Sequence, residues 1–216
     1  MRTPVARPCP SSLPVITEGA TELIRNILAG FAVLLACACS AEPTPERNGA
    51  GAFMDALSVH CGKAYEGRLV STDEADADFL GQDMVMHVRD CDESGIRVPF
   101  HVGDDRSRTW VITRTSGGLR LKHDHLHEDG EEDEVSQYGG DALAVDNAER
   151  IEFPVDDYSV DLFNGTGLTA SVTNVWALEL TDDLFAYELR RTNRHFRVEF
   201  DLTRPVSTPP EPWGAK

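Results

Sequence analysis

The sequence predicts an all-β domain: an antiparallel meander of about eight to ten strands, closed or strongly curved into a barrel, with a β-sandwich as the alternative. Three observations carry this. Apolar residues alternate with polar ones at period two, most regularly in the last third. There Phe185, Tyr187 and Leu189 alternate with Leu184, Ala186 and Glu188, and Phe196, Val198, Phe200 and Leu202 with His195, Arg197, Glu199 and Asp201. Turn-forming pairs such as Asp182-Asp183 and Thr192-Asn193 separate these runs. The sequence has no internal repeat and no long stretch of helical period. A meander of so many one-sided strands removes its exposed edges most completely by closing on itself.

The expected elements follow in order. Residues 37–52, rich in Pro, Gly and Glu, read as a flexible tether. The barrel domain is expected over 53–204, opening with a short helical turn at Phe53–His60. Lys63–Ser71 is the first strand, and Asp73–Asp83 an acidic connection. In Met84–Cys91, Met84, Met86 and Val88 alternate with Val85, His87 and Arg89. Ile96–Val102 is a cleaner half-buried strand, but Pro99 cannot donate to a ladder, so an edge or bulge is expected there.

The chain is organised around Arg106–Glu134, a β-hairpin folded at Ser116-Gly117-Gly118, where glycine supplies the positive φ that tight turns need. With a two-residue loop, Trp110 and Ile112 share a face with Leu119, Leu121, His123, His125 and His127; a three-residue loop flips that pairing. Tyr138-Gly139-Gly140-Asp141 then reads as a turn, Arg150–Val155 as a strand, Asp156–Phe163 as one or two helical turns behind a capping Asp, and Thr169–Thr181 as a strand. Residues 205–216 read as a Pro-rich tail.

Residues 1–36 read as a signal segment. Arg25 precedes the apolar run Ile27–Cys39, which is too short to span a bilayer and is followed by small residues. Leu34-Leu35-Ala36-Cys37 resembles the lipobox of bacterial lipoproteins. That resemblance implies that Cys37 becomes the lipidated first residue, with Cys39 as a second candidate and an ordinary cleavage site as the alternative. The expected location is therefore the cell envelope, anchored to the lipid bilayer on the periplasmic side, with secretion as the alternative. Among the remaining cysteines, Cys61 lies just before the first strand and Cys91 ends the second. In an antiparallel pair those positions are neighbours, so a Cys61–Cys91 disulfide is expected in an oxidising compartment, two buried thiols being the alternative.

The net charge of −17, from 37 acidic and 20 basic residues, disfavours nucleic acid and anionic headgroups as partners. The candidate chemistry is the histidine strand. Side chains two apart on a strand lie roughly 6.5–7 Å apart on one face, so His123 and His125 could hold one divalent metal such as zinc, copper or nickel; His127 joins only if the strand bends, and the third ligand is otherwise expected from Asp129, Glu131, Asp133 or a neighbouring strand. The alternative is a solvated strand end whose histidines respond to pH. Asp104-Asp105-Arg106 and Arg108 are expected to form a loop ion-pair set, with a ligand role as the alternative; Trp110 and Trp176 are expected in the core. Neither G-x-S-x-G nor a Walker sequence occurs.

In strand count and order the chain resembles lipocalin-like and fatty-acid-binding-like barrels, which concerns fold and implies no activity. The strings CGKAYEGRLVS, HVGDDRSRTWVIT, YGGD, EFPVD and NVWALEL resemble an uncharacterised family of exported bacterial proteins, a resemblance that also implies no known activity. Three functions follow as expectations. The first is a non-catalytic binding barrel for a small molecule, metal or partner. The others are a metal-dependent hydrolase built on His123, His125 and His127, and a structural or interaction module of the envelope.

Overall fold

A computed structural model describes residues 49–142 and 148–215. The signal segment, Cys37, Cys39 and most of the tether lie outside the described residues. The expected all-β barrel is what forms. The strands are β1 (Ala64–Leu69), β2 (Met84–His87), β3 (Asp90–Cys91), β4 (Gly95–Val102), β5 (Asp105–Thr115), β6 (Gly118–His125), β7 (Tyr138–Asp141), β8 (Arg150–Pro154), β9 (Val175–Leu180), β10 (Leu184–Arg191) and β11 (Arg194–Val206). They join in one antiparallel sheet in the order β7-β6-β5-β4-β2-β1-β11-β10-β9-β8, with β3 paired to β4.

The two ends of that order meet, so the sheet is a nearly closed ten-strand barrel. At the seam the backbone N–H of Asp156 donates to Gly139 O at 2.9 Å. Ser159 Oγ accepts from Gly139 N at 2.8 Å and donates to Asp156 Oδ1 at 2.6 Å. Lys122 Nζ on β6 reaches Asp156 Oδ2 at 2.5 Å, tying a second strand to the same residue. The approach is close enough that a Cβ on Gly140 would overlap the Pro154 carbonyl, and one on Gly139 the Leu121 carbonyl. Tyr138–Asp141 is therefore a strand and not the turn its composition suggests; its glycines let two backbones touch.

The register follows the alternation. Thr115 pairs with Gly118, so the β5–β6 loop has two residues, and Ile112 faces Leu121 and Trp110 faces His123. Even positions of β4 and β5 and odd positions of β6, β8 and β10 point inward, giving a continuous core that includes Tyr65, Met86, Val98, Ile112, Leu121, Phe153, Leu178, Phe185, Val198 and Phe200. Helix α1 (Gly49–Ser58) packs Ala50, Phe53, Met54 and Leu57 against β4, β6 and β9 near the β5–β6 turn, where Arg114 reaches Asp55 at 3.4 Å. It begins earlier than the expected Phe53–His60 turn and takes up the end of the expected tether.

Cys61 and Cys91 are joined in a disulfide across 30 positions. Pro99 lies inside the sheet, not on an edge. Its partner on one side is Thr109, and on the other it falls in the break between β2 and β3, where no donor is required; the bulge comes two residues on, between Phe100 and Val102. The expected strand Thr169–Thr181 starts only at Val175, because Thr169–Thr173 is a 3-10 helix following α2 (Asp157–Gly165). Strand β11 extends to Val206, and the rest of the expected tail lies across the outer face: Trp213 N donates to Arg106 O at 3.1 Å and Arg106 Nη1 to Glu211 O at 2.8 Å.

Candidate ligand-binding cavity

Most of the barrel interior is filled by side chains. Among the described residues, a cavity of about 140 Å³ lies at the end opposite α1. Its walls are mainly aromatic: Phe79, Phe100, Trp110, Tyr138, Tyr187 and Phe196. Arg108, His123, His125, Leu189, Thr109 and Arg194 complete the described lining. The histidine-rich end of β6 thus does open onto a site, but the site is the barrel's own interior.

One wall is a stack. The Trp110 ring lies between Phe100, with centroids 4.8 Å apart, and Tyr187, at 4.5 Å. Another is the pair His123 and Tyr138, stacked at 4.5 Å. Register places these groups: Trp110 faces His123 across β5–β6, and His123 faces Tyr138 across β6–β7.

Hydrogen bonds set the state of each polar group. Nδ1 of His123 lies 3.1 Å from Tyr138 O, and a carbonyl only accepts, so Nδ1 carries the proton. Nε2 is then the lone pair, and the Tyr187 hydroxyl donates to it at 2.8 Å. His125 Nε2 and the Tyr138 hydroxyl share a bond of 3.2 Å. Burial pushes His123 down to about 3, with the neighbouring His125 as a smaller cause. Burial, then the charge of Arg108, takes His125 down to about 4. Burial raises Tyr138 to about 12 and pushes Tyr187 well above the ordinary tyrosine range. At neutral pH all four are uncharged.

The mouth is built by the acidic connection between the first two expected strands. A 3-10 helix, Glu74–Phe79, is capped by Asp73, whose side chain accepts from Ala75 N at 3.0 Å. Asp76 is 1% exposed and accepts from Ser71 Oγ at 2.6 Å. Arg194, at the start of β11, sits 2.5 Å from Asp76 Oδ1 and 3.4 Å from Asp73 Oδ2, off the line of an ideal hydrogen bond to the former. These contacts pin the segment to the β10–β11 hairpin and lay Phe79 on Phe196 at 4.9 Å. Arg108 pairs with Asp105 at 2.5 Å, as expected, and also lies over the Phe79 ring at 5.9 Å.

The expected metal set is not brought together. His123 and His125 point inward with their described nitrogens bonded to Tyr138 and Tyr187. His127 lies beyond the end of β6, half exposed, 3.7 Å from Asp133. Asp129 is exposed and its carboxylate accepts from Glu131 N at 3.0 Å. Strand periodicity ends at His125, so the third histidine turns away. Among the described residues no three of His, Cys, Asp and Glu converge as metal ligands.

Residues the sequence reading missed are Arg194, Phe79, Tyr138 and Tyr187. A signal existed for the first: Arg194 has the parity of Phe196, Val198 and Phe200, just as Arg108 has that of Trp110 and Ile112. A cation on the inward register of a barrel strand marks a site.

Compared with known protein families, curated proteins and solved structures, the chain gives no match. No helix among the described residues is long and apolar enough to cross a membrane.

Proposed function

We propose that this chain is an exported cell-envelope protein, lipidated at Cys37 or alternatively Cys39, whose barrel binds a small single-ring molecule without catalysing a reaction. The observation that carries the binding reading is the aromatic cavity of about 140 Å³ at the barrel mouth. An apolar cavity of about 150 Å³ accommodates benzene, so the space suits one ring and little more. Larger barrel ligands such as fatty acids need a hollow interior, and here the core fills it.

Binding suits the site better than catalysis. A general base working near pH 7 wants a pKa near 7. His123 and His125 are instead held at about 3 and about 4, and each is bonded to tyrosine. The envelope reading rests on the lipobox-like Leu34-Leu35-Ala36-Cys37 and on the disulfide, which suits an oxidising compartment.

Two measurements test the proposal. Trp110 lines the cavity, so titrating the full chain with benzyl alcohol should change tryptophan fluorescence and raise the melting temperature. No change at millimolar probe sinks the binding reading. Mass spectrometry of the N-terminus after export should find a lipid-modified Cys37 or Cys39; an unmodified terminus at another residue sinks the anchor.

A further inference from the structure

The cavity lining bears on the charge of the ligand. The chain has 37 acidic and 20 basic residues, yet the described lining holds two arginines and no acid. Both arginines are placed there by strand register. Arg108 pairs with His125 on the inward face of β5–β6, and Arg194 precedes Phe196 by two on β11. We infer that the cavity takes a single-ring aromatic carboxylate, its ring against Trp110 and Tyr187 and its carboxylate on the Arg108 guanidinium.

This rests on the barrel being a binding protein and adds the ligand's chemical class. The acids that partner the arginines sit behind them and do not line the space. Asp105 takes one end of Arg108 at Nη1, and its other oxygen accepts from Ser107 N at 2.9 Å. A guanidinium has five N–H donors in a fixed fork, so one acid leaves donors for a second carboxylate. Arg194 is more committed: Asp73 and Asp76 hold it, and Nη1 also donates to His195 O at 3.0 Å. It therefore contributes charge, and Arg108 contributes the grip.

The field of these cations is felt inside the barrel. The Arg108 charge contributes to the lowering of His125 and opposes the raising of Tyr138 and Tyr187, and Arg194 acts on Tyr187 in the same direction. The Tyr187 hydroxyl already gives its proton to His123, so toward the cavity it offers only lone pairs. An ammonium group entering here would meet two guanidinium groups and no lining carboxylate. A bare inorganic anion would leave the Trp110–Tyr187 wall unused. A ring bearing a carboxylate satisfies both halves of the lining.

The test is a calorimetric titration of the full chain with benzoate, benzyl alcohol and benzylamine, in the wild type, Arg108→Met and Arg108→Gln. Benzoate should bind about tenfold or more tighter than benzyl alcohol, with benzylamine weakest, as a charge-assisted bidentate contact gives. Arg108→Met should bring benzoate down to the level of the alcohol and leave the alcohol within about twofold. Arg108→Gln keeps a donor toward Asp105 and should do the same if the methionine variant does not fold. Benzyl alcohol binding as tightly as benzoate, or benzoate indifferent to both substitutions, overturns the carboxylate assignment and leaves the binding barrel standing. Failure of all three probes overturns both.

Discussion

Tyr187 on β10 donates its hydroxyl to Nε2 of His123 on β6 at 2.8 Å, a bond that crosses the barrel interior between strands far apart in the sheet order. It links two polar groups across a largely apolar core, and both partners are buried, at 7% and 3% exposure. Tyr187→Phe removes the donor while keeping the ring that stacks on Trp110. His123 Nε2 is then a buried acceptor without a partner, which costs about 1–3 kcal/mol. Urea unfolding of the variant against wild type checks this; a change under about 0.5 kcal/mol would mean the bond is not formed.

The same histidines make the fold acid-sensitive in a defined window. Each has a folded pKa depressed below the ordinary 6.5, to about 3 for His123 and about 4 for His125. Below pH 6.5 the unfolded chain takes up protons that the folded chain refuses, so stability falls as pH drops, through about 4 for His125 and about 3 for His123. Each contributes at most about 1.4 kcal/mol per pH unit. Glu188, on the outer face, works in a lower window. Despite burial, which raises it, hydrogen bonds and charge from Arg150 and a hydrogen bond from Arg197 hold it at about 2, so its stabilisation is present above about 4.5 and is lost as pH falls toward 2. Urea midpoints measured from pH 7 to pH 3 should therefore start to fall below 6.5, and His125→Asn should flatten the slope between 6 and 4. A flat wild-type curve across that range would contradict the buried neutral pair.

Architecture was legible in the sequence because period-two alternation reports which side of a strand is wet. Phe196, Val198, Phe200 and Leu202 all face inward, and the Trp110–His123 pairing follows from a two-residue turn at Ser116-Gly117. Three features were not legible, each for a physical reason. Tyr138–Asp141 has turn composition, but its glycines serve a backbone approach to Pro154 that only the closed barrel creates. Thr169–Thr173 has strand-like residues, yet follows α2 as a 3-10 turn, and the chain becomes extended only at Asn174. The cavity draws on six strands and one connecting helix, and no local pattern announces Arg108, Arg194 and Phe79 as neighbours.

Closure itself is testable at Gly140. Its hypothetical Cβ overlaps a backbone carbonyl, that of Pro154, which cannot swing aside as a flexible side chain would. Gly140→Ala must therefore push β7 away from β8 and strain the Asp156–Gly139 bond. The expected cost is about 2 kcal/mol or more, larger than the few tenths typical of a surface Gly→Ala change. Gly165→Ala, where nothing lies within 4 Å, is the matched control. Equal stability of the two variants would mean the seam is open in solution.

The C-terminal segment offers a last test, since its composition alone suggests a loose tail. Glu211 bridges to Arg89 at 2.7 Å, and Trp213 lines one surface pocket with Arg89, Pro99, Thr109 and Leu126. Gly214 packs on Leu126 and Gly130, which fixes the turn after β6. Deleting residues 209–216 should leave the barrel folded, because none of its ladders uses them. It should remove about 1–3 kcal/mol through lost apolar burial at Trp213. The effect should be local: amide exchange should quicken at Leu126 and Gly130, which donate to Ser107 O and His127 O, while Ile112 and Leu121 stay protected to the extent set by global stability. Unchanged exchange at Leu126 and Gly130 would show that the turn stands without the segment, and that the contacts of Trp213 and Gly214 contribute nothing to holding it.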